Sequence, residues 1–413
     1  MAVITIETMD DEGRGRVFFE GRDYAVRGAF PGDIVEFRLE RNFKAHNLMV
    51  GKTRRYVKKG PHHVHRTCPG RGPCAACPLH DATPELENTV KRDRIVAALD
   101  KEGLSFEVDP VLPHPDRMGY RQKVKLMVSG FSGFLRLGVY VPYSHTFEDA
   151  SQCPHVNPAI NDAIARLIPV LNQSGVDTIR AVILRAGLDG VAGILVTTKP
   201  LPDFIFENSP LLSLKERVQP DETNSILGGT PGQSVGPEMI QSLEDGQMVD
   251  PDAFCQADPV QAQRLYELVA DYLWQGSGHY VDAYAGVGGF AKALLKKGEC
   301  KITAIESNAV CLSSLEALGV GTSPRPSPGT GEGGEPVLGL VLDPPKKGLM
   351  GDAEVYAGMG ALRVVLVSCD PSSMVKDLKV LLKAGYEVER ILPVDLFGAT
   401  PAIETVVFLR QVN

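Results

Sequence analysis

Four stretches of this sequence carry residue types whose spacing could do chemistry. The run VVLVS ends on Cys369 and is followed by Asp370-Pro371-Ser372-Ser373, the signature of a strand passing directly into a helix. A helix N-terminus favours a thiolate, so Cys369 is expected to be an activated nucleophile at the ligand edge of a sheet rather than an inert buried thiol. The run LGLVLDPPKKGL places Asp343 at a strand end, where a carboxylate and rigid proline carbonyls overhang the carboxyl edge of a sheet. The stretch DAYAGVGGF, from Asp282 to Phe290, puts glycines 286, 288 and 289 between a strand and a helix. Such a turn lets backbone approach a ligand, and Glu306 ends the following strand at the distance that suits a ribose diol. Together these features point to a nucleoside-containing cofactor. The fourth stretch, CPGRGPCAAC, sets Cys68, Cys74 and Cys77 in a C-x5-C-x2-C spacing, and Cys153 in SQCPHV could add a fourth thiolate. Four thiolates suit an iron–sulfur cluster or zinc. His62, His63, His65 and His80 lie nearby in sequence and read as surface residues rather than ligands.

The elements that must position these residues fall into three expected domains. Residues 1–58 read as short alternating strands separated by turns such as Pro31-Gly32, which suggests a small β-barrel of the OB type. Residues 59–249 read as a β-rich central domain that carries the cysteines, with helices over ELENTVKRDRIVAALDKEG and near 157–171 and poor patterning over 205–250. Residues 250–413 alternate strand and helix, the pattern of a doubly wound, Rossmann-like parallel sheet, so the fold class is α/β with two β-rich modules ahead of it. The run GVGTSPRPSPGTGEGGEP, residues 319–336, has no period and is expected to be a surface loop, neither a helix nor a central strand.

A chain of 413 residues with 43% hydrophobic and 23% charged residues has the composition of a folded, multi-domain protein. It contains no run of eighteen apolar residues and opens without a basic stretch leading into an apolar one, so no membrane span or secretory signal is expected and the location is expected to be cytoplasmic. In that compartment the eight cysteines are not expected to form a disulfide framework. The net charge of -8 argues against a nucleic-acid ligand, but residues 1–80 hold 14 Lys/Arg against 9 Asp/Glu. A basic N-terminal module on an acidic chain fits an RNA or phosphate ligand, or a solvated basic face.

With these motifs in this order, the chain resembles the RNA uracil-5-methyltransferases that depend on S-adenosylmethionine, in particular the branch with an N-terminal TRAM domain and a [4Fe–4S] cluster that methylates 23S ribosomal RNA. The TRAM-like opening is VITIETMDDEGRGRVFFEG…VRGAFPGDIVEFRLER, and YRQKVKL resembles the family's Tyr-Arg-Asn segment. The resemblance implies that Cys68, Cys74, Cys77 and Cys153 ligate the cluster. The family's Phe-x-Gln-x-Asn appears as FCQAD, which implies that Gln256 contacts the cofactor. Tyr284 and the Gly286–Gly289 turn match its cofactor loop, with Glu306 at the ribose and Asp343 at the cofactor's polar end. The family's Ser-Cys-Asn-Pro appears as Ser368-Cys369-Asp370-Pro371, and its His-(Ile/Val)-Glu as Ala402-Ile403-Glu404. Cys369 would then add to C6 of uracil, C5 would take the methyl group, and Glu404 would remove the C5 proton. The resemblance also implies an RNA partner, ribosomal rather than transfer RNA, a target uridine flipped or single-stranded, and a monomer with no membrane association.

The sequence departs from the family at four places. Asp replaces Asn at 258 and at 370, adding carboxylates near a polyanionic substrate. Ala402 replaces the His beside the base, and FGATPA departs from the usual preceding segment. The run at 319–336 stands where relatives have a third strand and a helix, so that strand is expected to be missing, with an exposed second strand and weakened cofactor binding as the consequence. Two other readings remain: a catalytically impaired, RNA-binding iron–sulfur relative, and an iron–sulfur oxidoreductase with a nicotinamide cofactor, in which Asp-Pro-Pro and Ser-Cys-Asp-Pro have no role.

Overall fold

The computed structural model describes residues 3–69, 74, 76–141, 144–219, 229–326 and 335–412. Three sheets follow one another along the chain. The first has six strands within residues 3–58, and its core holds Ile4, Ile6, Val17, Val26, Ala29, Val35 and Phe37. Alternation along strands such as Ile34–Phe43 puts one side of each strand on that core.

The second sheet has seven strands within residues 123–235. Helix Pro158–Gln173 lays Ile160, Ala163, Ile164, Leu167 and Leu171 across one face of it. Asn157 caps this helix by accepting a bond from the Ala159 amide at 2.9 Å, and Pro158 follows at the first helical position. The poorly patterned stretch at 205–250 contains strands Ser213–Val218 and Thr230–Val235 and a two-strand ladder, Ile240–Gln241 with Met248–Val249. Thr230–Val235 lies at the sheet edge and is mostly exposed, which is why no apolar alternation marks it.

The third sheet carries the chemistry. Its strands are β1 (His279–Ala283), β2 (Lys301–Ile305), β3 (Gly321–Ser323), β4 (Val337–Leu342), β5 (Arg363–Ser368), β6 (Tyr386–Val394) and β7 (Glu404–Gln411). They lie in the order β3-β2-β1-β4-β5-β7-β6, with β1 to β5 parallel and β7 antiparallel to both β5 and β6. This is the doubly wound sheet expected from the alternating pattern, with an antiparallel strand inserted near one edge.

Two expectations are corrected. The third strand is present: Thr303, Ala304 and Ile305 pair in parallel with Gly321, Thr322 and Ser323, and the Glu306 amide donates to the Ser323 carbonyl at 2.9 Å. An edge strand needs only backbone groups, so Gly, Thr and Ser suffice where a buried strand would need apolar residues. The carboxyl half of β2 is therefore covered, and the argument for weakened cofactor binding from an exposed flank fails. Residues 327–334 of the 319–336 run lie outside the described residues. The second correction concerns helix Pro84–Lys101, assigned from the sequence to the central domain. Its Ile95 and Leu99, with Val108 and Val111 after it, pack in one core with Val281, Leu340, Leu342 and Leu378. The backbone joins too: the Leu112 amide donates to the Pro393 carbonyl at 2.8 Å. A stretch early in the sequence thus completes the C-terminal domain. No described helix is long and apolar enough to cross a membrane.

Candidate active site

Register brings the reactive groups together. On the antiparallel pair β5/β7 the ladder ends where Ser368 faces Thr405, so Cys369, just after Ser368, and Glu404, just before Thr405, lie at the same end, near enough for the Glu404 charge to act on the thiol. Asp343 follows β4, the other neighbour of β5, so all three groups stand at one end of the sheet. Glu404 is buried and its Oε1 has no hydrogen-bond partner among the described residues. Burial, then the nearby Asp343 charge, holds the Glu404 carboxyl well above the usual carboxylate range. Burial likewise pushes Asp343 up to about 7. Such groups are suited to hold or take a proton near neutral pH.

Cys369 does not behave as the strand-to-helix position suggests. Burial, then the Glu404 and Asp343 charges, pushes its thiol up to about 11. The helix Pro371–Lys383 gives little relief because Asp370 caps it, accepting from the Ser373 amide at 3.0 Å and adding another negative charge beside the thiol. In the free protein Cys369 is therefore a thiol, not a preformed thiolate.

The neighbouring loop after β1 has the backbone of a ligand turn. Tyr284 adopts φ +62°, Gly286 +53° and Gly288 +88°, a run of left-handed residues that holds the chain in a tight arch. A Cβ on Gly286 would meet nothing within 4 Å, which leaves open space beside that turn. Gly289 serves packing instead: a Cβ there would strike the Tyr266 ring at 2.5 Å. Glu306 fixes the arch, accepting from the Gly286 amide at 2.8 Å and from the Asn308 amide at 2.6 Å. The helix after the turn does not present its third amide to a ligand, because Asp282 accepts from the Ala291 amide at 2.9 Å. Tyr284 reaches Asp352 at 3.5 Å and its ring lies 5.8 Å from that of Tyr356.

Gln256 closes the other side. Its side chain donates to Asp343 Oδ2 at 3.3 Å. Its backbone is held by Gln122, from the YRQKVKL segment, and by Glu244, which the sequence did not single out. Glu244 Oε1 accepts from the Gln256 amide at 3.2 Å and from Gln122 Nε2 at 2.8 Å, while Glu244 Oε2 accepts from the Tyr266 hydroxyl at 2.9 Å. Gln122 also donates to the Gln256 carbonyl at 2.9 Å. Glu244 carried no sequence signal, since it lies in the unpatterned stretch before residue 250.

Asp258 does not face a substrate as expected. It is buried as the cap of helix Pro259–Leu273, accepting from the Val260 amide at 2.8 Å, and its Oδ2 pairs with His114. Near Glu404, Ala402 takes over no side-chain role. The segment before it is anchored from below instead: Lys91, fully buried, bridges Glu87 at 2.7 Å and Asp395, and Glu87 accepts from the Ala399 amide at 2.8 Å.

The cysteines meet elsewhere. Cys68, Cys74, Cys77 and Cys153 all line one cavity of about 560 Å³ between the first two sheets, together with Arg27, Lys52, Arg121 and Lys123. Burial pushes the Cys77 thiol up to about 12. Among the described residues, however, no three His, Cys, Asp or Glu side chains stand close enough to hold a metal ion. Residues 70–73 and 75, inside the cysteine segment, lie outside the described residues. As placed, the thiols share a cavity but do not form a metal cage, and no chemistry is routed through a cluster.

Comparison with known proteins follows this geometry. No family model matches the chain. An uncharacterized RNA methyltransferase of Bacillus cereus is 29% identical over 448 residues, covering 98% of this chain and 96% of its own length. One from Listeria monocytogenes is 26% identical over 440 residues, covering 98% and 96%. Among solved structures, the Pyrococcus abyssi tRNA (uracil-54, C5)-methyltransferase in complex with S-adenosyl-L-homocysteine superposes with a TM-score of 0.77 at 23% identity, over 99% of this chain and 100% of that one. By sequence the chain is similar, over nearly its whole length, to proteins named RNA methyltransferases. At that identity the superposition establishes the fold, and it runs through all three sheets rather than the C-terminal one alone. Within the uracil-5-methyltransferase pattern, the residues expected at the cofactor and at the catalytic step gather at the carboxyl edge of one sheet, whereas the expected cluster ligands only share a cavity.

Proposed function

We propose that this protein transfers a methyl group from S-adenosylmethionine to C5 of a uridine in RNA. The observation that carries the reading is the convergence of Cys369, Glu404 and Asp343 beside the arch made by Tyr284, Gly286 and Glu306. The residues fit the cofactor: the arch leaves space at Gly286, Glu306 ends β2 where a ribose would lie, and Gln256 with Asp343 offers a polar pair at the carboxyl edge. When bound, S-adenosylmethionine supplies the methyl group. The protein's own residues do the rest. The Cys369 thiol gives up its proton to water as Sγ bonds to C6 of the uracil, the electrons of the C5–C6 double bond moving on to make C5 nucleophilic; C5 takes the methyl, Glu404 removes the C5 proton, and the C6–S bond breaks to restore the double bond and the cysteine. The buried, unpartnered Glu404 Oε1 supports that role, because a raised carboxyl pKa makes it a stronger base once ionised.

Ribosomal RNA is favoured by the resemblance of the first 58 residues to TRAM domains and by the cysteine segment. A [4Fe–4S] cluster on the four cysteines rests on the resemblance alone, since the thiols as placed share a cavity without forming a metal cage; anaerobic loading with iron and sulfide, followed by metal analysis, tests it directly. For the activity, anaerobically prepared protein is incubated with S-adenosylmethionine and either 23S ribosomal RNA or transfer RNA lacking 5-methyluridine. Nucleoside mass spectrometry is expected to show new 5-methyluridine in the ribosomal RNA, and Cys369→Ala to abolish it. Absence of product from folded protein with either RNA would move the assignment to an RNA-binding relative without activity, a reading favoured by Ala402.

A further inference from the structure

The central sheet is covered on one face, while the other is closed over its inner strands, where Ala181, Ile183, Ile194 and Val196 are buried, and open towards the strands at one edge. Val124, Leu126, Leu135 and Leu137 point to the side covered by helix Pro158–Gln173. The opposite side of strands Lys123–Phe131, Phe134–Tyr140 and Phe147–Asp149 presents Lys125, Phe131, Phe134, Arg136 and Tyr140, all exposed. Cross-strand register makes two aromatic pairs there: Phe131 faces Phe134, and Tyr140 faces Phe147. The first pair stacks with ring centroids 5.8 Å apart and planes 17° apart, while its members stay 69% and 61% exposed. In the second pair Tyr140 is 48% exposed and meets Phe147 edge-on at 5.5 Å. The Arg136 guanidinium sits over the Phe147 ring, 5.3 Å from its centroid.

Aromatic rings held open to water mark an interaction surface. The charges beside them decide its partner. Lys125 and Arg136 are cationic, and Asp149, the carboxylate on this side, is engaged by the Ser151 amide at 2.8 Å and the Ser151 hydroxyl at 2.5 Å. Flat rings interleaved with cations match a polyanion that carries flat apolar rings of its own.

We propose that this open part of the central sheet binds single-stranded RNA, with bases stacking on the Phe131/Phe134 and Tyr140/Phe147 pairs and phosphates met by Arg136 and Lys125. The proposal rests on the reading of the protein as an RNA enzyme and adds where the flanking RNA lies. The strand that ends at Phe131 begins beside Gln122, which holds Gln256 in the candidate active site. At about 3.3 Å per residue the Phe131/Phe134 pair stands roughly 26 Å along that strand. It therefore holds RNA distant from the target uridine and leaves the chemistry to the C-terminal sheet.

The test uses the full-length protein with Phe131→Ser and Phe134→Ser combined, and separately F131W and F134W. Binding to a fluorescently labelled single-stranded RNA is read by anisotropy without turnover, with S-adenosylmethionine affinity and unfolding temperature as controls. The serine variant is expected to bind the RNA at least about tenfold more weakly, since stacking contributes roughly 1–3 kcal/mol per base, with both controls unchanged. The tryptophan variants are expected to keep the affinity. RNA containing 5-bromouridine is expected to photo-crosslink to peptides within residues 123–149. Unchanged RNA affinity in the serine variant overturns the proposal. So does loss of a concentration-dependent dimer in sedimentation with RNA affinity intact, which would make this face a contact between two copies. Because binding is read apart from methylation, the two readings fail separately: platform-dependent binding without any 5-methyluridine would sink only the enzymatic reading.

Discussion

The carboxyl edge of the C-terminal sheet and the cysteine cavity were both marked by sequence, and the structure treats them differently. At the sheet edge, Cys369 and Asp343 follow strands and Glu404 opens one, and the register of those strands is fixed by paired backbone, so distant residues arrive at one place. Around the cavity, Cys68, Cys74 and Cys77 lie on irregular chain and Cys153 on a turn, with no ladder to set their separation. At the edge Asp343 raises the Glu404 carboxyl and both carboxylates raise the thiol, whereas at the cavity burial acts first on Cys77, with Arg121 opposing it and the other three cysteines adding to it. Periodic secondary structure therefore brings the residues of distant motifs together by itself, whereas a loop motif has no ladder to do so.

The largest effect that would sharpen this contrast lies at the edge. Glu404→Gln is expected to slow methylation by about 10²–10⁴-fold, the range for loss of a general base, while protein–RNA adduct accumulates. The same change removes a negative charge beside Cys369, so the midpoint for alkylation of the thiol is expected to move down from about 11. A midpoint that stays put or rises would break the electrostatic account. Next is Asp282, fully buried at the end of β1 with its carboxyl pushed up to about 7 from the ordinary 3.8. A raised acid stabilises the fold fully below its unfolded pKa, and that contribution is lost as pH rises through 7. Asp282→Asn keeps an acceptor for the Ala291 amide and cannot ionise. It should therefore gain stability relative to the parent across that window, by about 1.4 kcal/mol per pH unit at most, in denaturant melts at pH 4 and pH 8. Equal pH profiles for the two proteins would remove Asp282 from the account.

Two smaller effects separate positioning from packing. Glu244→Ala strips the acceptor from the Gln256 amide and is expected to weaken S-adenosylmethionine binding about tenfold in calorimetry, the cost of one buried amide left without a partner. Unchanged affinity would mean that Gln256 holds its place without help. At the cavity, Cys74→Ser is expected to lower the stability of the central domain while Cys369 keeps its alkylation profile. A variant that stays as stable as its parent would show that the cavity thiols hold nothing structural.

Much of this was legible in the sequence, for stated reasons. The alternation after residue 250 marked the main strands and helices, and Asp343 and Cys369 stand at the carboxyl edge, because strands of a parallel sheet end on one side. The thiolate expected at Cys369 was not borne out, because proximity to a helix start is a weaker influence than burial plus two carboxylates, and only Asp343 of those had a signal from residue type. β3 escaped notice because three backbone-paired residues at an edge leave no pattern. Glu244 and the Lys91–Glu87–Asp395 cluster were invisible because their roles come from contacts between segments as far apart as 304 positions, whereas Gln122 was marked only as part of the YRQKVKL segment.

The most direct test of the central claim uses RNA in which the target uridine carries fluorine at C5. With S-adenosylmethionine present, Cys369 can add and the methyl can transfer, but no C5 proton remains for Glu404 to remove, so the adduct should persist. Mass spectrometry of the digested protein is then expected to find the methylated fluorouridine attached to the peptide containing Cys369. Finding 5-methyluridine from ordinary RNA but no adduct on Cys369 would contradict the assignment of that cysteine as the nucleophile.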